Sequence, residues 1–303
     1  MKTANLTKER RLVKKTDNPK LGIIYILMAA FFFALMSFFV RLSGDVPTMQ
    51  KAFFRNLVAV GAATVMLARS KEGFKIQKGC VPDLLLRAAF GTLGLLCNFW
   101  AIDRLNIADA NMLNKLAPFF AILMSVFLLK EKPNKMEWIC VFVAFAGAAF
   151  VVKPTAGLAS LPALIGALGG FGAGTAYTFV RKLGKRGERG PVIVMFFSLF
   201  SCLATLPFIL FDYAPMEGWQ LGCLLLAGAA ATGGQLSVTA AYTKAPAKEI
   251  SVFDFSQVLF AAMLGFFFFG EMPDAYSVIG YCVIIGIAVV QWYYDTRRAG
   301  KAS

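Results

Sequence analysis

The feature that most constrains this chain is a run of twenty residues, 21–40, without a single charged side chain. A helix of this length, at about 1.5 Å per residue, spans a hydrocarbon core of roughly 30 Å. Further apolar runs follow between short charged or Pro- and Gly-rich breaks. We therefore predict an all-α integral membrane protein with ten transmembrane helices. The predicted spans are 22–42, 50–68, 83–102, 108–129, 137–152, 161–180, 191–211, 219–240, 249–269 and 276–294.

The composition agrees with a membrane protein, since charged residues make up 16% of the chain, against about 25% in soluble domains. The first apolar run is too long for the 7 to 15 residues of a signal-peptide core, so we interpret it as a helix. Histidine is absent, and the six cysteines are scattered without a CxxC pair. These features favour neither disulfides nor a metal site, and no catalytic motif is present, so we expect no cofactor and no enzyme activity.

The basic residues are concentrated in alternate loops, with Arg104 and Lys153 isolated in the others, and this pattern predicts the orientation. Lys and Arg number seven before the first span, four in 69–78, three in 130–135, five in 181–189 and three in the tail, whereas 190–243 has none. Basic loops stay in the cytoplasm, so both termini, 1–20 and 295–303, are predicted to be cytoplasmic, in the plasma membrane. The net charge of +14 is juxtamembrane and favours lipid over nucleic acid as the partner.

An internal repeat appears when the sequence is shifted by 140 residues. Phe39-Val40-Arg41 then matches Phe179-Val180-Arg181, and Glu131-Lys132-Pro133-Asn134 matches Glu271-Met272-Pro273-Asp274. Only the second span needs a different offset, of 143. The two halves, 21–152 and 153–294, contain five spans each, an odd number, and so must be inverted in the membrane. Inverted repeats are a recurring design of secondary transporters.

A polar stripe crosses the fourth predicted span. Its members, at one helical face, are Asn111, Asn114, Lys115 and Pro118. The repeat shift maps this stripe onto Ser251, Asp254, Phe255 and Val258 of the ninth span, with Gln257 beside it. One interpretation is a substrate site in which Lys115 binds a carboxylate while Asp254 binds an amine or a coupling proton. The other is a buried ion pair that locks the helices together.

Ionisable groups inside a span cost about 2.5–3.5 kcal/mol each, which also draws attention to Arg55. It either attracts an anion or clamps the preceding turn through Asp45, whereas Lys51, one turn earlier, is expected to extend to the membrane surface. Polar and aromatic residues that could line the same cavity, or simply pack, are Asn98, Trp100, Tyr177 and Gln235.

Two further patterns have structural interpretations. The small residues Gly166, Gly170 and Gly174 form GxxxGxxxG, which permits close helix packing within the chain, with a dimer seam as the alternative. Glu131 and Glu271 lie at span ends and are expected to cap and orient loops.

Several motifs resemble the drug/metabolite transporter superfamily, in particular its EamA-type members. The resemblance rests on Phe53-Phe54-Arg55, on Ala108-x-Ala110-x7-Pro118, on Leu128-Leu129-Lys130-Glu131 and on its echo Phe268-Phe269-Gly270-Glu271. It implies a five-plus-five fold with a central cavity among spans one, three, four, six, eight and nine. Lys115 departs from the family, because many relatives carry an apolar or uncharged residue there.

With this resemblance, the residues predict a secondary transporter of a small anionic or zwitterionic metabolite, such as an amino acid or carboxylate, that works by alternating access with proton coupling or exchange. The alternatives are an exporter of cationic drugs or other metabolites, and a non-transporting scaffold or channel. The expected partners are the small-molecule substrate and membrane lipid, and the expected state is a monomer or homodimer.

Overall fold

A computed structural model describes residues 19–130, 134–152, 161–244 and 251–301, all of whose regular elements are helical. The predicted spans agree with the helices to within a few residues at most ends. The helices are α1 (Pro19–Leu42), α2 (Thr48–Ala68), α3 (Val81–Ile102), α4 (Ile107–Asn114), α5 (Ala117–Leu128), α6 (Lys135–Val152), α7 (Leu161–Lys185), α8 (Gly190–Phe211), α9 (Gly218–Lys244), a 3₁₀ turn (Ser251–Phe255), α10 (Ser256–Phe269) and α11 (Ala275–Lys301).

Within the described residues, eight segments are long and apolar enough to cross a membrane: α1, α2, α3, the α4–α5 pair, α7, α8, α9 and α11. The remaining predicted spans, the fifth and the ninth, also lie on helices, α6 and the turn with α10, although the apolar stretch Phe253–Phe269 is shorter. Large apolar side chains such as Phe127, Phe142 and Phe267 are mostly exposed on the outside of the bundle. Such a large apolar surface is unfavourable in water but is compatible with contact with lipid chains.

Helix pairing follows a regular scheme. The most extensive contacts join α1 to α9 and α3 to α7, followed by α2 with α8 and α6 with α11. If each predicted span is replaced by the one five positions away in the chain, the α1–α9 pair becomes the α3–α7 pair. The α2–α8 and α6–α11 pairs are each converted into themselves. The contacts of α5 with α7 and of α10 with α1 are related in the same way.

One end of the bundle, which we call the Glu271 end, is held by charged groups. Glu271 Oε1 lies 3.1 Å from Arg41 Nη2, and Glu271 Oε2 accepts a hydrogen bond of 2.8 Å from the Ile107 backbone N–H. Glu271 thus caps α4, as expected for a loop-orienting residue, while Glu131 lies outside the described residues. Lys51 Nζ lies 2.5 Å from Asp103 Oδ1 and is fully buried, so the prediction that Lys51 extends to the surface is wrong. A carboxylate within reach offsets the cost of burying its charge.

The opposite end, the Asp83 end, is tied by a second set of ion pairs. Asp83 lies 2.8 Å from Lys182 Nζ and 2.9 Å from Arg186 Nη1, which joins α3 to α7 and its following loop. Arg189 donates hydrogen bonds to Ser70 and to two backbone carbonyls between α2 and α3.

The glycine stripe of α7 packs inside the chain, as predicted. A Cβ atom on Gly166 would meet Leu113, one on Gly170 would lie 2.6 Å from the Leu113 carbonyl oxygen, and one on Gly174 would meet Phe120. The absence of side chains at these positions lets α7 approach the junction between α4 and α5 directly.

Candidate functional site

The fourth span is interrupted where its polar stripe was predicted. Helix α4 ends at Asn114, and α5 begins at Ala117 with Pro118 in its first turn. Proline has no backbone N–H, so the hydrogen bond that would continue the helix to the Asn114 carbonyl cannot form. Lys115 therefore lies at the C-terminal end of a half-helix, within the span.

The ninth span departs from regular α-helix at the equivalent place, where a 3₁₀ turn runs directly into α10, and we call both positions breaks. The 3₁₀ turn ends at Phe255 and α10 starts at Ser256. When the sequence is shifted by 140 residues, Phe255 aligns with Lys115. The two breaks therefore fall at the same position of the repeat. Discontinuous helices of this kind expose backbone groups and helix ends where ions and substrates bind in membrane transporters.

The two breaks meet through an ion pair. Lys115 Nζ lies 2.5 Å from Asp254 Oδ2, and the side chains are 9% and 25% exposed, respectively. Lys115 caps the C-terminal end of α4, and Asp254 directly precedes the N-terminus of α10, so each charge also complements the dipole of its own helix. The partial exposure of Asp254 leaves its carboxylate accessible to a ligand or a proton.

A hydrogen-bonded cluster lies one turn away from this pair. Asn111 Oδ1 accepts hydrogen bonds from the Ser37 hydroxyl, at 3.1 Å, and from the Gln257 amide. The Asn111 amide donates to the Ile107 carbonyl at 2.8 Å. All three polar side chains are buried, and together they hold α1, α4 and α10 in a fixed arrangement around the ion pair.

Two arginines share a second polar region between α2, α3 and α8. The Cζ atoms of Arg55 and Arg87 lie 5.8 and 4.1 Å from the centroid of the Phe197 ring. Arg55 donates to the Asn56 side chain at 2.6 Å, so the predicted clamp to Asp45 is not formed. Arg55 also lines a cavity of about 90 Å³ together with Gln235.

Sequence reasoning missed Arg87. It lies four residues inside the predicted span 83–102, so the criterion that selected Arg55, an ionisable group inside a span, applied to it as well. Each buried guanidinium carries an insertion cost of about 2.5–3.5 kcal/mol.

The other predicted residues are dispersed. Asn114 is half-buried next to Lys115, and Asn98 is buried with no partner for its Oδ1 atom. Tyr177 is 51% exposed.

One predicted residue does not contribute to this arrangement. Trp100 lies near the Glu271 end, where the Arg104 guanidinium stacks 3.9 Å from its ring centroid. Ser251 begins the 3₁₀ turn, but its side chain lies outside the described residues.

Comparison with known proteins identifies a common family. The sequence profile of the EamA-like transporter family matches residues 20–153 and, separately, residues 160–292. The pseudopaline exporter CntI of Pseudomonas aeruginosa strain UCBPP-PA14 is 31% identical over 275 residues, covering 89% of this chain and 95% of the exporter. Solute carrier family 35 member G1 of Homo sapiens is 25% identical, covering 94% of this chain and 83% of that protein.

Two further matches are more distant. A riboflavin transporter of Vibrio cholerae is 24% identical over 72% of this chain and 73% of its own length. A protein crystal structure, at 16% identity and a TM-score of 0.65, covers 90% of this chain and 98% of its own. The latter likeness shows a shared fold.

Proposed function

The chain belongs to the EamA-like transporter family, and from this premise we propose that it is a secondary transporter of a small anionic or zwitterionic organic metabolite, such as an amino acid or carboxylate. The relatives are membrane transporters, so the coarse function is transport across a membrane. The observation that carries the finer proposal is the Lys115–Asp254 pair at two matched helix breaks.

We propose ten spans in two inverted halves, 21–152 and 153–294. Three observations support this arrangement: the double family match, the exchange symmetry of the helix contacts, and the 140-residue spacing of the two breaks. Two similar halves in opposite orientations can exchange conformations, which converts a site open on one side into a site open on the other.

In the proposed orientation the Asp83 end is cytoplasmic and the Glu271 end external, in the plasma membrane. The basic loops 69–78 and 181–189 support this assignment, since they adjoin the Asp83 end. The pairs Arg41–Glu271 and Lys51–Asp103 would then close the external side in the conformation described.

The ion pair suggests how transport and proton movement are coupled. Protonation of Asp254 removes the negative charge that holds Lys115, and the freed ammonium group can bind a substrate carboxylate. Loss of the proton restores the Lys115–Asp254 pair and displaces the carboxylate. In this scheme a proton and an anionic group bind together and leave together.

A screen for cargo tests this proposal. The purified full chain is reconstituted in proteoliposomes preloaded with unlabelled amino acids, organic acids or cationic drugs, and uptake of the same labelled compound is followed. Saturable counterflow with a carboxylate-bearing compound is the expected result. Counterflow with cationic drugs alone would exclude the proposed role of Lys115, and the absence of counterflow with every compound would favour a scaffold.

A further inference from the structure

We propose that Arg55 and Arg87 form a second anion subsite, which binds a carboxylate of the transported molecule. The identification of the ligand as cargo rests on the function proposed above, whereas the subsite itself rests on the geometry of α2, α3 and α8.

No carboxylate in the described part of the chain pairs with either guanidinium. Arg55 and Arg87 are 4% and 6% exposed. Arg87 Nε and Nη1 and Arg55 Nε have no hydrogen-bond partner, and among the residues that the structure describes neither arginine forms an ion pair. Buried charges in proteins are normally paired, so two unpaired cations in one place indicate a partner that comes from outside the chain.

Both cations lie near the Phe197 ring. Their distances from its centroid place the two Cζ atoms within about 10 Å of each other. The Ser198 hydroxyl has no hydrogen-bond partner among the described residues. Arg55, Phe197 and Ser198 line a cavity of about 90 Å³, and Arg87 lies against the Phe197 ring. This volume is several times what one water molecule needs, and fixed N–H and O–H donors are the groups that recognise carboxylates.

The charge balance indicates the class of ligand. Lys115 is paired with Asp254, whereas Arg55 and Arg87 have no carboxylate partner among the described residues. Two positive charges near Phe197 therefore remain without a protein carboxylate. A molecule with more than one carboxylate group complements this excess of positive charge better than a monocarboxylate.

The alternative is a structural stack, in which the arginines only pack on Phe197. The two cases differ in the stability of the ligand-free protein. If the charges serve a ligand, Arg87→Met removes an uncompensated buried charge and raises the melting temperature of the ligand-free protein. If the stack is structural, the same substitution lowers that temperature.

The test uses the purified full chain in nanodiscs of phosphatidylcholine, titrated calorimetrically with citrate, succinate and acetate. We expect saturable binding that weakens in that order, at least a tenfold loss of citrate affinity in Arg87→Met and Arg55→Met, and a higher ligand-free melting temperature for Arg87→Met. Arg104→Met, at an exposed arginine stacked on Trp100, is the matched control and should bind citrate as the wild type does.

Three results would overturn the subsite: no saturable binding to the wild type, unchanged citrate affinity in Arg87→Met, or a lower ligand-free melting temperature in that variant. A parallel titration with phosphatidylglycerol in the nanodiscs identifies a lipid headgroup as the occupant if it abolishes citrate binding, which would also overturn the proposal. Counterflow in proteoliposomes from the same preparation reports the transport function separately.

Discussion

Lys115 Nζ lies 2.5 Å from Asp254 Oδ2, although 139 residues separate the two in sequence. Each residue belongs to a different half of the chain and lies at the interruption of its own span. The ion pair therefore connects the two halves at the point where the backbone of each departs from a regular helix. A movement of one half relative to the other would have to change this contact.

A double-mutant cycle separates the binding role of this pair from a purely structural one. Lys115→Gln leaves Asp254 without its cation, so we expect a lower melting temperature and a loss of carboxylate counterflow of roughly tenfold or more. In the double variant with Asp254→Asn, no unpaired charge remains, so stability should return while counterflow stays lost. Recovery of both stability and counterflow in the double variant would show that the pair is only a lock.

Glu271 is expected to hold shut the Glu271 end, which is external in the proposed orientation, because it bridges Arg41 and the N-terminus of α4. Glu271→Gln weakens both contacts. In a cysteine-free background carrying Ser37→Cys, a position that is fully buried, the substitution should increase labelling by a membrane-impermeant maleimide several-fold. Glu217→Gln, at an exposed glutamate beside Trp219, is the control. Equal labelling with and without Glu271→Gln would remove this residue from the closure.

Gly170 is required where α7 meets the break in the fourth span. Gly170→Ala would place a methyl group 2.6 Å from the Leu113 carbonyl oxygen, a backbone atom that cannot turn away. We expect a loss of roughly 1–3 kcal/mol in stability together with reduced counterflow. Gly184→Ala, on the same helix with nothing within 4 Å, should change neither. Thermal melts of both variants make the comparison, and similar curves would contradict the close packing.

Neutralising Lys51 or Asp103 should destabilise the protein by different amounts. Lys51 is fully buried, whereas the Asp103 side chain is 18% exposed. Asp103→Asn leaves a buried ammonium group without its partner and should lower the free energy of unfolding by about 3–5 kcal/mol. Lys51→Met leaves a partly hydrated carboxylate and should lower it by less. Glu72→Gln, which affects the more exposed Arg189–Glu72 pair, should have little effect. A larger loss of stability in Lys51→Met than in Asp103→Asn, measured by thermal melts, would contradict the burial of Lys51.

The sequence predicted best those features that depend on the length and polarity of a segment, such as the positions of the helices. Uncharged runs predicted the helices to within a few residues at most ends, because an apolar segment of this length has few alternatives in a bilayer. The break after Lys115 had a local signal in Pro118, but the equivalent break before Ser256 has no proline. Only the 140-residue repeat identifies the break before Ser256 as the equivalent of the break after Lys115.

Partners that lie far apart in sequence were harder to predict. Lys51 was expected at the surface because its position near a span end permits that, but Asp103, on another helix, is close enough to pair with it. Trp100 is on a predicted span with Asn98, yet Arg104 covers it near the Glu271 end. Such contacts depend on how α2 and α3 rotate about their axes, which hydropathy does not specify.

The most direct test of the account is uptake driven by a pH gradient in proteoliposomes that contain the wild type or Asp254→Asn, with a substrate identified by counterflow. Asparagine imitates the protonated carboxyl and leaves Lys115 free, so the variant should still exchange substrate but should no longer accumulate it in response to the gradient. If Asp254→Asn retained wild-type, pH-driven accumulation, Asp254 would not carry the coupling proton and the proposed mechanism would be wrong.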